Sequence, residues 1–296
     1  MSETSRCGYV AILGRPNVGK STLMNHILRQ KIAITSRKPQ TTRHNMLGVD
    51  TEGDAQAIYV DTPGIHSDVN KALNRYMVSE AESVVGDVDV CLHVIEATQW
   101  REDDQRVADM LAKRSGGCTI AVMNKVDLVK QKEALLPHMQ KLASLGYSEV
   151  IPISGLRNDG VDLLRELVFA NIPEGPHLFA PDEVTDQSER TLVAELIREK
   201  LMRQLGDELP HSTAVDLILF REQENLVEIH AEIYVEREGQ KRIVIGKDGA
   251  RSKLIGQEAR KDIERLLDKK VMLHLWVKVR KGWTNNARDL RQLGYE

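Results

Sequence analysis

The sequence is poor in aromatic residues, in cysteine and in long apolar runs, and each shortage excludes a class of protein. Aromatic residues make up 4% of the 296 residues, so the cores must be mostly aliphatic. The three cysteines (Cys7, Cys91 and Cys118) are scattered without metal-ligand spacing, which indicates buried free thiols in a reducing compartment. No apolar run reaches the ~18–20 residues of a membrane span, and the N-terminus lacks a secretory signal. We therefore expect a cytoplasmic protein.

The length suits two domains, and residues 1–172 predict the first of them. Buried strands are predicted at Tyr9–Leu13, Ala57–Val60, Val88–Ile95, Thr119–Met123 and Val150–Ile153. Helical spacing recurs at Thr22–Leu28, Ala72–Val84, Asp104–Leu111, Ala134–Leu145 and Val161–Val168. This alternation predicts an α/β fold with a mostly parallel sheet. A hairpin-sized turn at Glu52-Gly53-Asp54 adds one antiparallel strand at the edge.

Pro173, Gly175, Pro176 and Pro181 interrupt this pattern, so residues 173–186 are interpreted as a linker. Residues 187–281 then combine one helical apolar stripe with two alternating segments, Val227–Val235 and Val271–Val279. A small α+β domain is expected there, followed by a basic tail over residues 282–296.

The first candidate site is a glycine-rich loop between a predicted strand and a predicted helix. It fits the phosphate-binding pattern G-x-x-x-x-G-K-[ST] with Gly14, Arg15, Pro16, Asn17, Val18, Gly19, Lys20 and Ser21. Glycines let backbone amides turn towards phosphates, and the N-terminus of the helix adds a favourable dipole. Lys20 can neutralise charge on the β- and γ-phosphates, and Ser21 can ligate Mg²⁺. By itself the loop could also be a plain connector.

Two further motifs follow two other predicted strands. In Asp61-Thr62-Pro63-Gly64, the carboxylate can hold Mg²⁺ through water and the Gly64 amide can meet a γ-phosphate. In Asn124-Lys125-Val126-Asp127, Asp127 offers two acceptors to guanine N1–H and the exocyclic amine, a pairing that adenine cannot make. Asn124 would brace the neighbouring loops, and the Lys125 stem would lie along the base. Each motif alone is a common turn, but the three in this order predict a GTP site.

With these motifs the sequence resembles the translation-factor-related GTPase superfamily. The resemblance implies that Gln40-Thr41-Thr42-Arg43 is the first switch region, in which a threonine closes on Mg²⁺. Thr42 is favoured for that role, and Thr41 stays open. The resemblance also implies that the backbone of Ile153-Ser154-Gly155 contacts guanine, although the family more often has Ala in place of Gly155. The residues expected to carry catalysis are Lys20, Thr42 and Gly64, and those expected to hold Mg²⁺ are Ser21, Thr42 and Asp61.

The position after the Asp-x-x-Gly motif departs from the small signalling GTPases, which place a water-orienting Gln there. This chain has Ile65, whose aliphatic side chain cannot polarise water. It resembles the GTPase class with a hydrophobic residue at this position, in parts of which the asparagine matching Asn17 helps to hold K⁺. We therefore expect slow intrinsic hydrolysis that K⁺ or a partner accelerates. The alternative is that Asn17 is only a turn residue.

Charge is distributed unevenly in the second half of the chain. Residues 182–236 carry 5 Lys/Arg and 14 Asp/Glu, whereas residues 237–296 carry 16 Lys/Arg and 8 Asp/Glu. The basic part contains Gly246-Lys247-Asp248-Gly249, which resembles the nucleic-acid clamp of KH domains. Its glycines let a nucleotide backbone approach closely, and Lys247 attracts phosphate. The residues expected to bind RNA are Gly246, Lys247, Asp248, Gly249, Arg251, Lys253, Trp283 and Arg288.

The order of the predicted elements resembles the type II KH arrangement: helix, two strands, Gly-x-x-Gly region, helix, strand. Composition and resemblance disagree for Lys241–Ile245. The composition of these residues predicts a strand, whereas the resemblance predicts a short helix. Trp283 lies outside any apolar run, so it can stack on an unpaired base or cap the domain core. Arg288 in the tail can contact phosphate or be solvated.

Together, the GTPase motifs, the type II KH pattern, the Gln-Thr-Thr-Arg segment and the Gly-Trp tail resemble the Era family over essentially the whole chain. The resemblance implies a bacterial ribosome-assembly GTPase that binds the 3′ end of 16S ribosomal RNA and the 30S subunit, and we expect a monomer. It also implies peripheral association with the inner membrane. Two alternatives stay open: an RNA-binding assembly chaperone with negligible hydrolysis, and a membrane-recruited signalling GTPase whose basic face meets anionic lipid.

Overall fold

The computed structural model describes residues 5–36, 38–65, 72–206 and 212–295. Its contacts divide the chain into two compact units. The first unit ends at Asp186 and the second begins at Gln187.

The described strands of the first unit form a six-stranded sheet. They are β1 (Arg6–Leu13), β2 (Met46–Glu52), β3 (Ala55–Asp61), β4 (Val90–Glu96), β5 (Cys118–Asn124) and β6 (Glu149–Pro152). Their order is β2-β3-β1-β4-β5-β6, and only the β2–β3 pair is antiparallel. The helices are α1 (Lys20–Ile27), α2 (Ala72–Val84), α3 (Glu102–Leu111), α4 (Leu136–Ala143) and α5 (Val161–Asn171). The predicted α/β fold with one antiparallel edge strand is therefore confirmed.

Strand β1 shows why the sheet needs helices on both faces. Alternate residues of a strand point to opposite faces, and every residue of β1 from Val10 to Leu13 is fully buried. Val10 and Ile12 pack in a cluster with residues of α1 and α5, whereas Ala11 and Leu13 pack in a second cluster with residues of α2 and α3. A strand that is covered on both sides has no polar alternation, which is the pattern of a central parallel strand.

The predicted linker, residues 173–186, contains no helix or strand but is bonded to the first unit; we call it the strap. Gln56 in β3 is fully buried, and its Oε1 accepts hydrogen bonds from the amides of Leu178 (2.9 Å) and Phe179 (3.0 Å). The Val49 amide donates to the Val184 carbonyl at 2.8 Å. The strap is therefore a bonded segment over β2 and β3, and not a free spacer.

The second unit is a small α+β domain. Its elements are α6 (Glu189–Gln204), β7 (Ala214–Glu222), β8 (Leu226–Val235), α7 (Glu238–Ile245), α8 (Ala250–Leu267) and β9 (Lys270–Val279). The sheet order is β7-β8-β9, with β7 antiparallel and β9 parallel to β8. This is the predicted type II KH order. The composition-based strand at Lys241–Ile245 is wrong, because these residues belong to α7, which the Gln240 side chain caps by accepting from the Arg237 amide.

One face of this sheet forms the core, and the other faces outward. Every second residue of β8 is fully buried, and these residues cluster with apolar side chains of α6 and α8. The intervening residues of β8 are only half-buried, which is the alternation expected of a sheet with one covered face. Beyond β9 the tail forms a 3-10 turn at Trp283–Asn285 and the short helix α9 (Ala287–Gln292).

No helix in the part of the chain that the structure describes combines the length and the apolar character needed to cross a membrane.

Candidate guanine-nucleotide site and RNA-binding surface

The glycine-rich loop joins the end of β1 to the start of α1, and its glycines are required by space as well as by conformation. Gly14 and Gly19 have φ values of 148° and 105°. A Cβ atom at Gly14 would lie 2.4 Å from the Val94 carbonyl oxygen, and one at Gly19 would lie 2.4 Å from Asn124 Nδ2. Because β1, β3 and β5 share one parallel orientation, their carboxyl ends meet at this loop.

Lys20 lies folded across the loop that precedes it. Its buried Nζ donates hydrogen bonds to the carbonyl oxygens of Gly14 (3.0 Å) and Arg15 (3.2 Å). Burial lowers the pKa of Lys20 to about 8, although nearby Asp61 acts in the opposite direction. An ammonium group in such a desolvated position gains more from an anionic ligand than one in water does.

Three oxygen-bearing side chains converge beside this lysine. Ser21 Oγ donates to Asp61 Oδ2 at 2.6 Å and lies 2.8 Å from Thr42 Oγ1, which donates to the same carboxylate oxygen at 3.1 Å. Asp61 is fully buried, and its Oδ1 has no hydrogen-bond partner among the described residues. Burial also raises the pKa of this carboxyl group. Two hydroxyls and a carboxylate with an unsatisfied oxygen are suitable hard ligands for Mg²⁺.

The neighbouring threonine is placed differently. The Thr41 hydroxyl bonds to Ser36 Oγ (2.8 Å) and donates to the Lys38 carbonyl (2.7 Å), so it is held within its own loop. Between the two threonines left open by the sequence, the geometry brings Thr42 to the carboxylate.

The Asp-x-x-Gly segment packs directly against the glycine-rich loop. A Cβ atom at Gly64 would lie 2.7 Å from Pro16 Cγ, so only glycine allows this approach. The Thr62 hydroxyl donates to the Ile12 carbonyl at 2.9 Å, and the Ile65 amide donates to the Gly14 carbonyl at 3.2 Å. The Ile65 side chain is buried in an apolar cluster and cannot orient a water molecule.

Asn124 holds three loops together, as the sequence predicts. Its Nδ2 donates to the Val18 carbonyl (2.8 Å), while its Oδ1 accepts from the amides of Lys125 (2.8 Å) and Gly155 (2.9 Å). Asp127 Oδ1 accepts a hydrogen bond from Ser154 Oγ at 2.6 Å. The glycine-rich loop, the Asn-Lys-x-Asp motif and the Ile153-Ser154-Gly155 segment are thus fixed relative to one another.

A charged network that the sequence analysis did not identify lies behind these loops. Glu96, the last residue of β4, accepts from Arg15 Nη2 at 3.0 Å and from Lys125 Nζ at 3.3 Å. Asp104 accepts from Arg15 Nε at 3.1 Å. Burial raises the pKa of Glu96, but the bonds from Arg15 and Lys125 outweigh it and leave this pKa below its ordinary value. No local motif marks Glu96, because its partners lie in the loops that follow two other strands.

A cavity of about 540 Å³ lies between the glycine-rich loop, the Thr42 loop and the Asn-Lys-x-Asp motif. Of the predicted nucleotide and metal residues, it is lined by Pro16, Asn17, Gly19, Lys20, Ser21, Thr42, Gly64, Asn124, Lys125 and Asp127. The predicted residues outside its lining are Gly14, Arg15, Val18, Asp61, Thr62, Pro63, Ile65, Val126 and Ser154. The Arg15 side chain is buried in ion pairs, so any contact it makes with a nucleotide must use its backbone. Lining residues that the predictions missed are Thr22, Ile34, Thr35, Ser36, Lys38, Leu128 and Leu156.

In the second unit the Gly-x-x-Gly segment is a strained turn between α7 and α8. Gly246, Asp248 and Gly249 all have positive φ (76°, 51° and 76°). Lys247 and Asp248 project as exposed side chains, and Lys253 is exposed one turn further along α8. Arg251 is half-buried and donates to the Ile243 carbonyl at 2.7 Å, so it braces the turn.

The predicted base-stacking role of Trp283 is wrong. Its indole is fully buried, and Nε1 donates to the Ser212 carbonyl at 3.2 Å. Trp283 packs with Leu290 and Tyr295, so it caps the core, which was the alternative reading of the sequence. Arg288 is exposed at the start of α9.

Two family models match the chain. The model described as 50S ribosome-binding GTPase matches residues 9–125, and the model described as KH domain matches residues 208–284. Among curated proteins, GTPase Era of Azotobacter vinelandii is 57% identical over 291 residues, which is 98% of this chain and 97% of the relative. GTPase Era of Pseudomonas aeruginosa strain LESB58 is 56% identical over 292 residues, covering 98% and 95%.

Two solved structures show the same full-length similarity. The crystal structure of Era in complex with MgGDPNP and nucleotides 1506–1542 of 16S ribosomal RNA superposes with a TM-score of 0.95 at 38% identity, covering 98% of this chain and 99% of that chain. A variant of Aquifex aeolicus Era bound to GDP.AlF4⁻ superposes with a TM-score of 0.94 at 38% identity and the same coverage. The motifs, the cavity geometry, the KH unit and these full-length relatives lead to one conclusion: the chain belongs to the Era family of GTPases.

Proposed function

We propose that this GTPase hydrolyses GTP in the 540 Å³ cavity with Mg²⁺ and uses the bound nucleotide to control RNA binding by its KH unit. One observation carries the nucleotide part. The Ser21, Thr42 and Asp61 oxygens lie within 2.6–3.1 Å of one another beside Lys20, while Asp127 lines the same cavity. A phosphate-and-metal end and a guanine-selecting end therefore belong to a single site.

In this mechanism the residues act by positioning and charge neutralisation, without a covalent intermediate. Lys20 Nζ exchanges its two carbonyl partners for oxygens of the β- and γ-phosphates. The Gly64 amide donates to the γ-phosphate as water attacks phosphorus and the bond to the GDP oxygen breaks, so negative charge builds on that leaving oxygen and the water proton passes to the released phosphate. Ser21 and Thr42 would hold Mg²⁺ directly and Asp61 through water, and the metal would neutralise phosphate charge.

K⁺ as an accelerator of hydrolysis is part of the proposal. Ile65 is buried in an apolar cluster, so no side chain directly after Gly64 orients water. Asn17 is exposed, has a φ of 65° and lines the cavity, which suits either a turn residue or a K⁺ ligand. Faster turnover in K⁺ than in Na⁺, lost in Asn17→Ala, supports the ion; equal turnover in both salts overturns it.

The RNA partner is proposed to be the 3′ end of small-subunit ribosomal RNA. The support is the exposed Lys247 at a Gly-x-x-Gly turn, the basic segment around it, and the full-length similarity to an Era structure that contains 16S ribosomal RNA nucleotides 1506–1542. Binding to the 30S subunit during its assembly follows from the same relationship. Peripheral contact with the inner membrane stays a prediction from the family resemblance, and a cytoplasmic location and a monomeric state stay expectations from the sequence.

The test measures GTP hydrolysis and RNA binding on the same full-length protein. Saturable binding of labelled GDP that requires Mg²⁺, with turnover lost in Lys20→Ala, supports the nucleotide site. RNA affinity that differs between GDP and a non-hydrolysable GTP analogue supports the switch. RNA affinity that does not depend on the bound nucleotide would instead favour an assembly chaperone.

A second comparison separates RNA binding from membrane binding. Lys247→Glu should weaken RNA binding more than binding to anionic liposomes; the reverse result would favour a membrane-recruited signalling GTPase.

A further inference from the structure

The outward face of strand β9 in the second unit is chemically unusual for a solvent-facing surface. Alternate residues of a strand share one face, at about 6.7 Å intervals. On the outward face of β9 these residues are Lys270, Met272, His274, Trp276 and Lys278, and all five are exposed. We call this row the β9 stripe. In order along the strand, its side chains are a cation, a thioether, an imidazole, an indole and a second cation.

The rings of the stripe form a cluster with the neighbouring strand. His274 is paired in register with His230 of β8, and the two ring centroids are 5.0 Å apart. The His230 ring lies 5.0 Å from the Trp276 ring, while His274 and Trp276 are stacked at 5.8 Å with an interplanar angle of 24°. Trp276 nevertheless keeps 43% of its surface exposed. The indole is thus fixed by two imidazoles on one side and open to solvent on the other.

We infer that the β9 stripe is a second RNA contact, a stacking platform for unpaired bases that is separate from the Gly-x-x-Gly turn. Flat aromatic faces on a sheet bind unpaired bases by stacking, and flanking cations attract the phosphates between them. The inference rests on the proposed RNA-binding function.

Charge on this face agrees with a polyanionic ligand. The acidic residues of β8 that face outward are already occupied by cationic or hydroxyl partners. Glu232 forms an ion pair with Lys278 and accepts from the Tyr234 hydroxyl at 2.7 Å, while Glu228 bonds to His230 at 2.9 Å. Lys270 and Lys278 mark the two ends of the stripe, so the rings lie between positive charges.

The stripe and the Gly-x-x-Gly turn lie on different sides of the sheet. Helix α8, which follows the turn, packs on the buried face through Ile255, Ala259 and Ile263. The stripe occupies the opposite face, and β9 is an edge strand of the three-stranded sheet. An RNA that uses both sites must therefore pass around this edge. A short oligonucleotide in the turn would not reach the stripe, but a longer one would.

The experiment compares two RNAs by fluorescence anisotropy: the ribosomal segment 1506–1542 of the relative's complex and truncated fragments that still bind the full-length protein. Trp276→Ala should weaken binding of the long RNA about tenfold, the loss of one stacked base, and leave the shortest bound fragment unchanged. Trp276→Phe should retain most of the affinity, because it keeps an aromatic face. Ile218→Ala is the matched control, since Ile218 is 55% exposed on the other edge strand.

Binding can also be read directly from the indole. Long RNA should quench the fluorescence of the wild-type protein, and Trp276→Phe should remove most of that quenching, since Trp283 is fully buried and Trp100 belongs to the GTPase unit. Equal affinity of wild type and Trp276→Ala for the long RNA overturns the inference, while a loss confined to Lys247→Glu leaves the proposed function intact. Failure of the wild-type protein to bind either RNA overturns both. Normal RNA affinity of Trp276→Ala with lost 30S association would assign the stripe to a protein contact and overturn the inference.

Discussion

At the scale of single residues, polar side chains in this GTPase unit act as connectors between loops. Asn124 shows this most clearly, because one side-chain amide bonds to Val18 of the glycine-rich loop at 2.8 Å and to Gly155 at 2.9 Å. Gly19 must lack a side chain for Asn124 to reach the loop at all. The relative placement of these loops thus depends on a few buried hydrogen bonds, each of which is costly to leave unmade.

Asp127→Asn should exchange guanine for xanthine as the preferred base. The carboxylate accepts from the exocyclic amine of guanine, whereas an amide nitrogen can donate to the carbonyl that xanthine has there. Loss of a charged hydrogen bond of ~1.5–3 kcal/mol lowers GTP affinity by at least tenfold. Competition of GTP, XTP and ATP against labelled GDP measures this, with Asp109→Asn on α3 as a surface control. Unchanged preference for GTP would show that the base is read elsewhere.

Glu96→Gln should weaken GDP and GTP binding by a similar factor. The substitution removes the charge that holds both Arg15 and Lys125, while Asp104 still holds Arg15. With Lys125 partly exposed, we expect a loss of ~1 kcal/mol, or about fivefold in affinity. Glu102→Gln, which removes an exposed ion pair with Arg106, is the matched control. The turnover number should change less than affinity, and a variant with wild-type affinity would contradict this role of Glu96.

At the scale of elements, the strap is an irregular segment that nevertheless forms several hydrogen bonds to strands of the first sheet. Besides Gln56, the Thr185 hydroxyl donates to the Leu47 carbonyl at 2.7 Å, and the Cys7 amide donates to the Pro173 carbonyl at 3.1 Å. The bonds of Val49 and Thr185 join the strap to β2 and satisfy backbone groups at this edge of the sheet, which would otherwise be open to pairing with another chain, whereas the Cys7 bond joins the strap to β1.

Gln56→Leu should destabilise the first unit and release the strap. The substitution leaves the amides of Leu178 and Phe179 without their buried acceptor, at a cost of ~2–3 kcal/mol. Denaturant unfolding followed by a first-unit probe, together with protease cleavage within residues 173–186, measures the effect. Gln131→Leu, at an exposed position, should leave both unchanged. Wild-type protease resistance of Gln56→Leu would contradict this account.

At the scale of the whole molecule, a nucleotide-binding unit and an RNA-binding unit are joined in one chain. The two units differ in how their positive charges are distributed, and each distribution matches the size of its ligand. The GTPase cavity presents one buried lysine to a compact ligand, whereas residues 237–296 spread 16 Lys/Arg over the second unit. Affinity for RNA should therefore fall steeply with salt, because each phosphate contact releases counterions.

Asp127→Asn should also transfer control of RNA binding from GTP to XTP. If the nucleotide acts through the Asn-Lys-x-Asp site, XTP and XDP in this variant should change RNA affinity by the same factor as GTP and GDP in the wild type. Anisotropy titrations with each nucleotide at saturating concentration measure the two ratios. The same RNA response to GTP in the variant, without GTP binding in the cavity, would be inconsistent with a nucleotide switch at this site.

Most of the nucleotide site was predictable because its motifs are local. Pattern and strand position identify Gly14–Ser21, Asp61–Gly64 and Asn124–Asp127, and the structure brings these segments together at one sheet edge. The sequence did not predict Glu96, because its partners Arg15 and Lys125 lie in loops that follow other strands. It also missed the cavity residues Leu128 and Leu156, which lie one residue beyond their motifs. The composition of Lys241–Ile245 favoured a strand, but local capping and packing on α8 and β9 made it a helix.

By itself, the sequence determined the order of elements and predicted the chemistry they would carry: a loop suited to a triphosphate, a carboxylate suited to guanine and a basic KH turn. Tertiary structure alone decided which threonine meets Asp61, that Trp283 is core and not a base platform, and that the open aromatic ring is Trp276. The reason is physical. Motifs encode which groups a ligand needs, whereas burial and hydrogen bonding depend on the packing of residues far apart along the chain.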